Sequence, residues 1–290
     1  MLNIIKNSFS IVAKNYTISL FFVLALTLLT FTSSKLGMMP AILGFLTIGV
    51  LIIFLCAFFA GWYGMIKTSI INSYKKRSKE EELRDIFSLK SEFLGYVGSH
   101  ILPVFLGFVL YFILVVLTFN LSTILAEKFV GNIDFLYNDT KGIINSSEAL
   151  AKYVLSLPKE KLMLLAGWEL VLLVSVGLFN LFTMFWFSAL YMNKTGSRNI
   201  FKALWGSILA VFKKPLSVIG FNLLIALLYF IVSQLSIVGR LHPVLSFIYM
   251  VLWVYFFVFI NVLIFNYYGK NFGNIGDTGA DSVGENEACA

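Results

Sequence analysis

The sequence predicts an all-α polytopic membrane protein, with six transmembrane helices as three hairpins, each preceded by an interfacial amphipathic helix. Three observations predict it. Hydrophobic residues make up 59% of the 290-residue chain against 13% charged residues, and the mean hydropathy of +0.88 is far above the balance of a water-soluble domain. Six apolar runs have about the length, roughly 20 residues, that crosses a hydrocarbon core of about 30 Å. The runs are continuous and not alternating, so helices that satisfy their own backbone in lipid are expected, and a membrane barrel is not.

Taken in order, the chain opens on Asn3-Ile4-Ile5-Lys6, a lead-in with apolar residues at helical spacing. The first span runs from Tyr16 to Thr32. Lys6 and Lys14 before it imitate a secretory signal, but Thr32-Ser33-Ser34-Lys35 offers no small-x-small cleavage site and a second run, Pro40 to Trp62, follows at once. The first run is therefore expected to be a retained helix. A middle lead-in begins at Asp85-Ile86-Phe87 and passes through Phe93, Leu94 and Val97 to Pro103, where proline suits the first turn of a helix. The third span, Ile101 to Leu125, leads into the one sizeable loop, Ala126 to Lys161. Within that loop Ser146 to Ser156 reads as a short helix with Ala149, Leu150, Tyr153 and Val154 on its apolar side. The fourth run is long, Leu162 to Met192. The last lead-in places Phe201, Leu204, Trp205, Ile208 and Phe212 on one face and stops at Lys213-Lys214-Pro215. Spans five and six are Leu216 to Leu235 and Val244 to Tyr268.

This order repeats. Asn3-Ile4-Ile5-Lys6 pairs with Asn199-Ile200-Phe201-Lys202, and the hairpins close on Asn72-Ser73-Tyr74-Lys75, Tyr191-Met192-Asn193-Lys194 and Tyr267-Tyr268-Gly269-Lys270. One transmembrane domain over residues 1–272 is expected, with repeat units 1–78, 79–196 and 197–272. The acidic tail 273–290, with Asp277, Asp281, Glu285 and Glu287 among Gly, Ser and Ala, is expected to be disordered and cytoplasmic.

The segment Glu82-Leu83-Arg84-Asp85-Ile86-Phe87-Ser88, continuing to Lys90 and Phe93-Leu94 before a span, resembles the lead-in segments of bacterial six-helix membrane domains of unknown function. It is also similar to the membrane domain fused to some glycerophosphodiester phosphodiesterases. The likeness covers about residues 1–272 and lies in layout and in an aromatic and basic pattern. It implies an integral membrane protein that is lipid-associated or assists export. Twenty residues follow Lys270, too few for a phosphodiesterase barrel, so none of that enzyme's catalytic residues carries over.

Charge sets the expected orientation. Fifteen of the 22 Lys and Arg, among them Lys6, Lys14, Arg77, Lys213, Lys214 and Lys270, fall on one side of a six-span arrangement, and seven, including Lys128, Lys152, Lys161 and Arg240, fall on the other. The positive-inside rule then puts both termini in the cytoplasm and the protein in the cytoplasmic membrane. The formal net charge of +7 follows from the same bias and suits anionic lipid headgroups, not nucleic acid. Trp62, Tyr63, Tyr74, Tyr96, Trp186, Tyr191, Trp205, Tyr267 and Tyr268 sit near the proposed cytoplasmic ends, where a membrane-interface girdle is expected.

Motifs for chemistry are missing. Cys56 lies in a span and Cys289 in the tail, and His100 and His242 sit at opposite membrane edges, so neither a metal centre nor a cofactor is expected. No phosphate-binding loop or nucleophile elbow pattern occurs. Sequon-like Asn138-Asp139-Thr140 and Asn145-Ser146-Ser147 matter only in a glycosylating compartment. The candidate polar residues are Glu169, the carboxylate inside an apolar run, and Asn180, Asn222 and Asn261 in three different spans. Glu169 either faces a protein interior or stands at the outer headgroup level, and the asparagines either bond across helices or line a path with it.

The leading expectation is a non-enzymatic, lipid-interacting or accessory component of an envelope process, with membrane lipids and other membrane proteins as partners. The alternative is a transporter or permease subunit with a polar path among the fourth to sixth helices.

Overall fold

The computed structural model describes residues 1–74, 79–136, 146–193, 198–239 and 242–273. The tail beyond Gly273, the sequon asparagines Asn138 and Asn145, and Lys75, Lys76, Arg77, Lys141, Lys194, Arg240 and Cys289 lie outside the described residues. Among the described residues the chain is helical, without strands. Its helices are α1 (Leu2–Lys14), α2 (Tyr16–Leu36), α3 (Ala41–Ser73), α4 (Lys79–Phe129), α5 (Ser147–Ser156), α6 (Lys159–Thr183), α7 (Trp186–Met192), α8 (Ile200–Lys213), α9 (Pro215–Gly239) and α10 (Pro243–Asn271).

Among the described residues six stretches are long and apolar enough to cross a membrane: Tyr16–Leu36, Ala41–Ser73, Ser91–Phe129, Lys159–Met192, Pro215–Ile237 and Pro243–Asn271. The chain is a multi-pass membrane protein. All six expected spans are present, and most run past their expected ends. The second span continues from Trp62 to Ser73 because Met65, Ile66 and Ile70, fully buried, keep packing after the uninterrupted apolar run has stopped.

The middle lead-in is not a separate helix. It is continuous with the third span in α4, and Pro103 stands inside that helix instead of at its first turn. A 51-residue helix is about 77 Å long, more than twice the hydrocarbon thickness, so part of it lies outside the apolar core. Packing on both sides of the proline outweighs the one lost backbone bond: Phe93 and Tyr96 lie against Gly61 and Gly64, and beyond it Val104 is fully buried while Gly107 faces Phe187 and Ile200.

The fourth run also departs from expectation. It is two helices, α6 and α7, with a turn at Met184–Phe185 between them. The freed backbone is satisfied from α8: Ser207 Oγ donates to Phe182 O at 2.6 Å and accepts from Phe185 N–H at 3.2 Å. Buried irregular backbone needs such a partner, and here it comes from a segment 22 residues downstream of the turn.

The chain divides into two units. In the first, Met1–Phe108 with the segment from Phe182 onward, burial is concentrated at one end of the long helices. In α3 the buried residues all fall between Cys56 and Ile70, whereas Ile42, Leu43, Phe45, Leu46 and Ile53 are exposed. In α10 the buried residues all fall between Phe256 and Gly269, whereas Val244, Phe247 and Met250 are exposed. The two amphipathic helices α1 and α8 belong to the buried end, which is hereafter the elbow end. In the second unit, Val109–Leu181, α5 is capped by Ser146 Oγ on Ala149 N–H and carries the exposed pair Glu148–Lys152 at 3.1 Å, too solvated to add much stability.

The elbows share a burial register. Ile4, Ser8, Ile11 and Val12 of α1 are buried, and so are Ala203, Ser207, Ala210 and Val211 of α8, each 199 residues after its counterpart. In α3 and α10 the buried positions Cys56, Phe58, Ala60, Trp62, Met65 and Ser69 correspond to Phe256, Val258, Ile260, Val262, Phe265 and Gly269, each 200 residues on. The pairing of Asn3 with Asn199 is an offset of 196 residues, three fewer than the elbow offset and four fewer than that of α3 and α10.

Candidate functional site

At the elbow end, aromatic residues do most of the packing. Trp62 donates its indole N–H to Ile18 O at 3.0 Å and lies in a group with Phe22, Phe58 and Phe257. Trp186 makes the matching bond to Ile200 O, also 3.0 Å, at the first residue of α8. Phe221 stacks on Tyr267 at 4.0 Å between ring centres, and Tyr267 shares a hydrogen bond of 2.7 Å with Ser217. Such pairs add roughly 0.5–1.5 kcal/mol each beyond burial.

The expected aromatic girdle is therefore largely a core. Trp62 and Trp186 are fully buried, and Tyr63, Tyr191, Tyr267 and Tyr268 are buried too. Trp205 and Tyr74 remain exposed. The elbow helices cover rings that a bare hairpin would leave to the headgroups.

Two glycines set the approach of α4. A Cβ on Gly61 would strike the Phe93 ring and one on Gly64 the Tyr96 ring. Beside this contact Lys67 stands over Tyr96 at 5.6 Å, and His100, buried, stacks on Tyr191 at 4.6 Å while its Nδ1 meets Ser99 Oγ at 2.7 Å. Tyr191 in turn donates its hydroxyl to Ala60 O at 2.8 Å. His100 thus has a packing role. His242 caps α10, its Nδ1 accepting from Val244 N–H at 3.2 Å.

The polar hub of this end was not among the candidates. Asn266 is fully buried, donates to Ser8 Oγ at 2.9 Å and Ile4 O at 3.4 Å, and accepts from the Tyr74 hydroxyl at 2.8 Å. One side chain joins α1, the residue that ends α3, and α10. Its signal in the sequence is an amide inside the run Val244 to Tyr268, five residues beyond Asn261. Asn261 donates to Phe257 O at 2.9 Å, within its own helix. Asn222 is half-buried and Asn180 exposed, and both have partners.

The elbows show a second face to their surroundings. Phe201, Trp205 and Phe212 fall within 40° of one another on α8 and are 62%, 60% and 69% exposed; Leu2 and Phe9 on α1 are exposed at 66% and 55%. Lys6, Lys14, Lys202 and Lys213 are on the same two helices. Each elbow thus has one face in the core and bulky apolar side chains with lysines on another.

Glu169 lies in the second unit, in a groove of about 520 Å³. Leu165, Trp168, Leu172, Leu173 and Val176 form one stripe of α6, and Ile133 and Leu136 the opposite wall. The wall is built locally. Gly131, at φ +124°, turns the chain after α4 in a conformation that favours glycine, and its carbonyl accepts the Trp168 indole N–H at 2.7 Å. Gly167 admits Val130, whose Cγ1 would stand 2.6 Å from an added Cβ. Asn132 closes a small turn, donating to Asp134 Oδ2 at 2.7 Å and accepting from its backbone N–H at 2.6 Å. Glu169 is exposed, and none of the three candidate asparagines is among the groove residues.

Compared with known proteins, the chain matches no family model, no curated protein and no solved structure.

Proposed function

We propose that this chain is a lipid-interacting, non-enzymatic protein of the cytoplasmic membrane, with both termini in the cytoplasm, acting as an accessory component of an envelope process. The observation that carries this reading is the double-faced elbow: Phe201, Trp205 and Phe212 project from a helix whose other face, Ala203, Ser207, Ala210 and Val211, is already buried. A helix with exposed aromatics beside lysines has its free energy minimum in the headgroup region, rings among the acyl chains and ammonium groups among the phosphates. Two such helices at one end would hold the packed part of the bundle against one leaflet. The common burial register of α1 with α8 and of α3 with α10 supports reading the first and third hairpins as copies of one unit.

A discontinuous span also occurs where transporters bind their substrates. Here Ser207 and the rings of Phe221, Tyr267 and Tyr268 occupy the surroundings of the break, which favours the accessory role over a transport path.

Spin labels at single cysteines in the full-length Cys289→Ser protein, reconstituted in phosphatidylcholine–phosphatidylglycerol bilayers, test the reading. Labels at 201, 205 and 212 are expected to contact oxygen in the acyl region, and labels at 202 and 213 to contact water-soluble relaxant. Uniform aqueous accessibility from 200 to 213 contradicts the proposal.

A further inference from the structure

We propose that the Glu169 groove holds a phospholipid with a primary-amine headgroup, of the phosphatidylethanolamine type, its ammonium on the Glu169 carboxylate and its acyl chain along α6. This deepens the lipid-interacting reading and depends on it. The groove of about 520 Å³ is within the roughly 300–1,000 Å³ usual for small-molecule sites, and every other residue that lines it is apolar or aromatic. Its stripe on α6, Leu165 to Val176, is about 16 Å long at 1.5 Å per residue, so the groove is elongated along the helix.

Charge selects the headgroup. Glu169 makes no ion pair or hydrogen bond with any described residue, and its exposed carboxylate is the one charged group that lines the groove. Trp168 beside it has its N–H committed to Gly131 O, which leaves the carboxylate as the free polar group of the groove. A primary ammonium offers both charge and N–H donors to such an acceptor, giving the short, charge-assisted bond that a quaternary choline cannot make. An anionic headgroup brings no positive charge to this carboxylate. Val176 lies about 10 Å further along α6 than Glu169, at 1.5 Å per residue, which leaves an apolar stretch of the groove for an acyl chain.

The test uses delipidated full-length protein in detergent, titrated with phosphatidylethanolamine, phosphatidylcholine or phosphatidylglycerol and read by native mass spectrometry. Wild type is expected to retain the ethanolamine lipid at least about tenfold more tightly than the other two. That preference is expected to vanish in Glu169→Gln, and all binding at this site in Leu173→Trp, which fills the groove from a position 65% exposed and therefore spares the fold. Equal retention of the ethanolamine lipid by Glu169→Gln, or equal retention of all three lipids by wild type, overturns the assignment. The elbow labels separate the two ideas: acyl-region contact at 201, 205 and 212 with no headgroup preference removes the groove assignment alone, whereas loss of both removes the lipid reading as well.

Discussion

Asn266 places the largest polar demand on the interior of the elbow end. Substituting leucine leaves the Tyr74 hydroxyl and the buried Ser8 Oγ without the amide that joins them. Asn266→Leu is expected to lower stability by about 1–2 kcal/mol, the range for interhelical bonds in membranes and for buried groups stripped of a partner. Asn261→Leu, whose amide donates within its own turn, is expected to stay within about 0.5 kcal/mol of wild type. Unfolding by added sodium dodecyl sulfate compares them, and equal losses would contradict the role given to Asn266. The sequence shows both amides in one apolar run but not which faces inward, because that depends on where α1 docks. Glu169 was legible as a carboxylate in an apolar run. Its groove was not, since the wall of Ile133 and Leu136 is held by the Trp168–Gly131 bond between residues 37 apart.

At the scale of elements, the six spans were legible because twenty apolar residues have no other stable home than lipid or a large core. Their ends were less so. Composition marks where a helix leaves hydrocarbon, whereas α3 continues to Ser73 on packing contacts. The break between α6 and α7 had no local signal at all, as Thr183-Met184-Phe185-Trp186 contains neither glycine nor proline. The partner that satisfies it, Ser207, lies on another helix. Ser207→Ala is expected to cost about 1–3 kcal/mol by leaving Phe185 N–H unpaired in a buried turn. Ser175→Ala, which loses only a bond back to Val171 O in its own helix, is expected to cost no more than about 0.5 kcal/mol. Melting in mild detergent measures the difference, and identical midpoints would mean that the turn needs no help from α8. The two elbows at the chain's start and before the fifth span were readable from apolar periodicity next to lysines. The middle one merged with its span because contacts at Gly61, Gly64 and Gly107 hold α4 together across Pro103.

At the scale of the whole molecule, six crossings divide the 22 basic residues 15 to 7, and the proposed topology with both termini in the cytoplasm follows from that division. A membrane-impermeant maleimide applied to intact cells tests this most directly. Native Cys289 is expected to react only after permeabilisation, and a cysteine replacing Asp139 in the Cys289→Ser protein is expected to react in intact cells, with buried Cys56 silent in both. Labelling of Cys289 in intact cells, or protection of the cysteine at position 139, would contradict the arrangement.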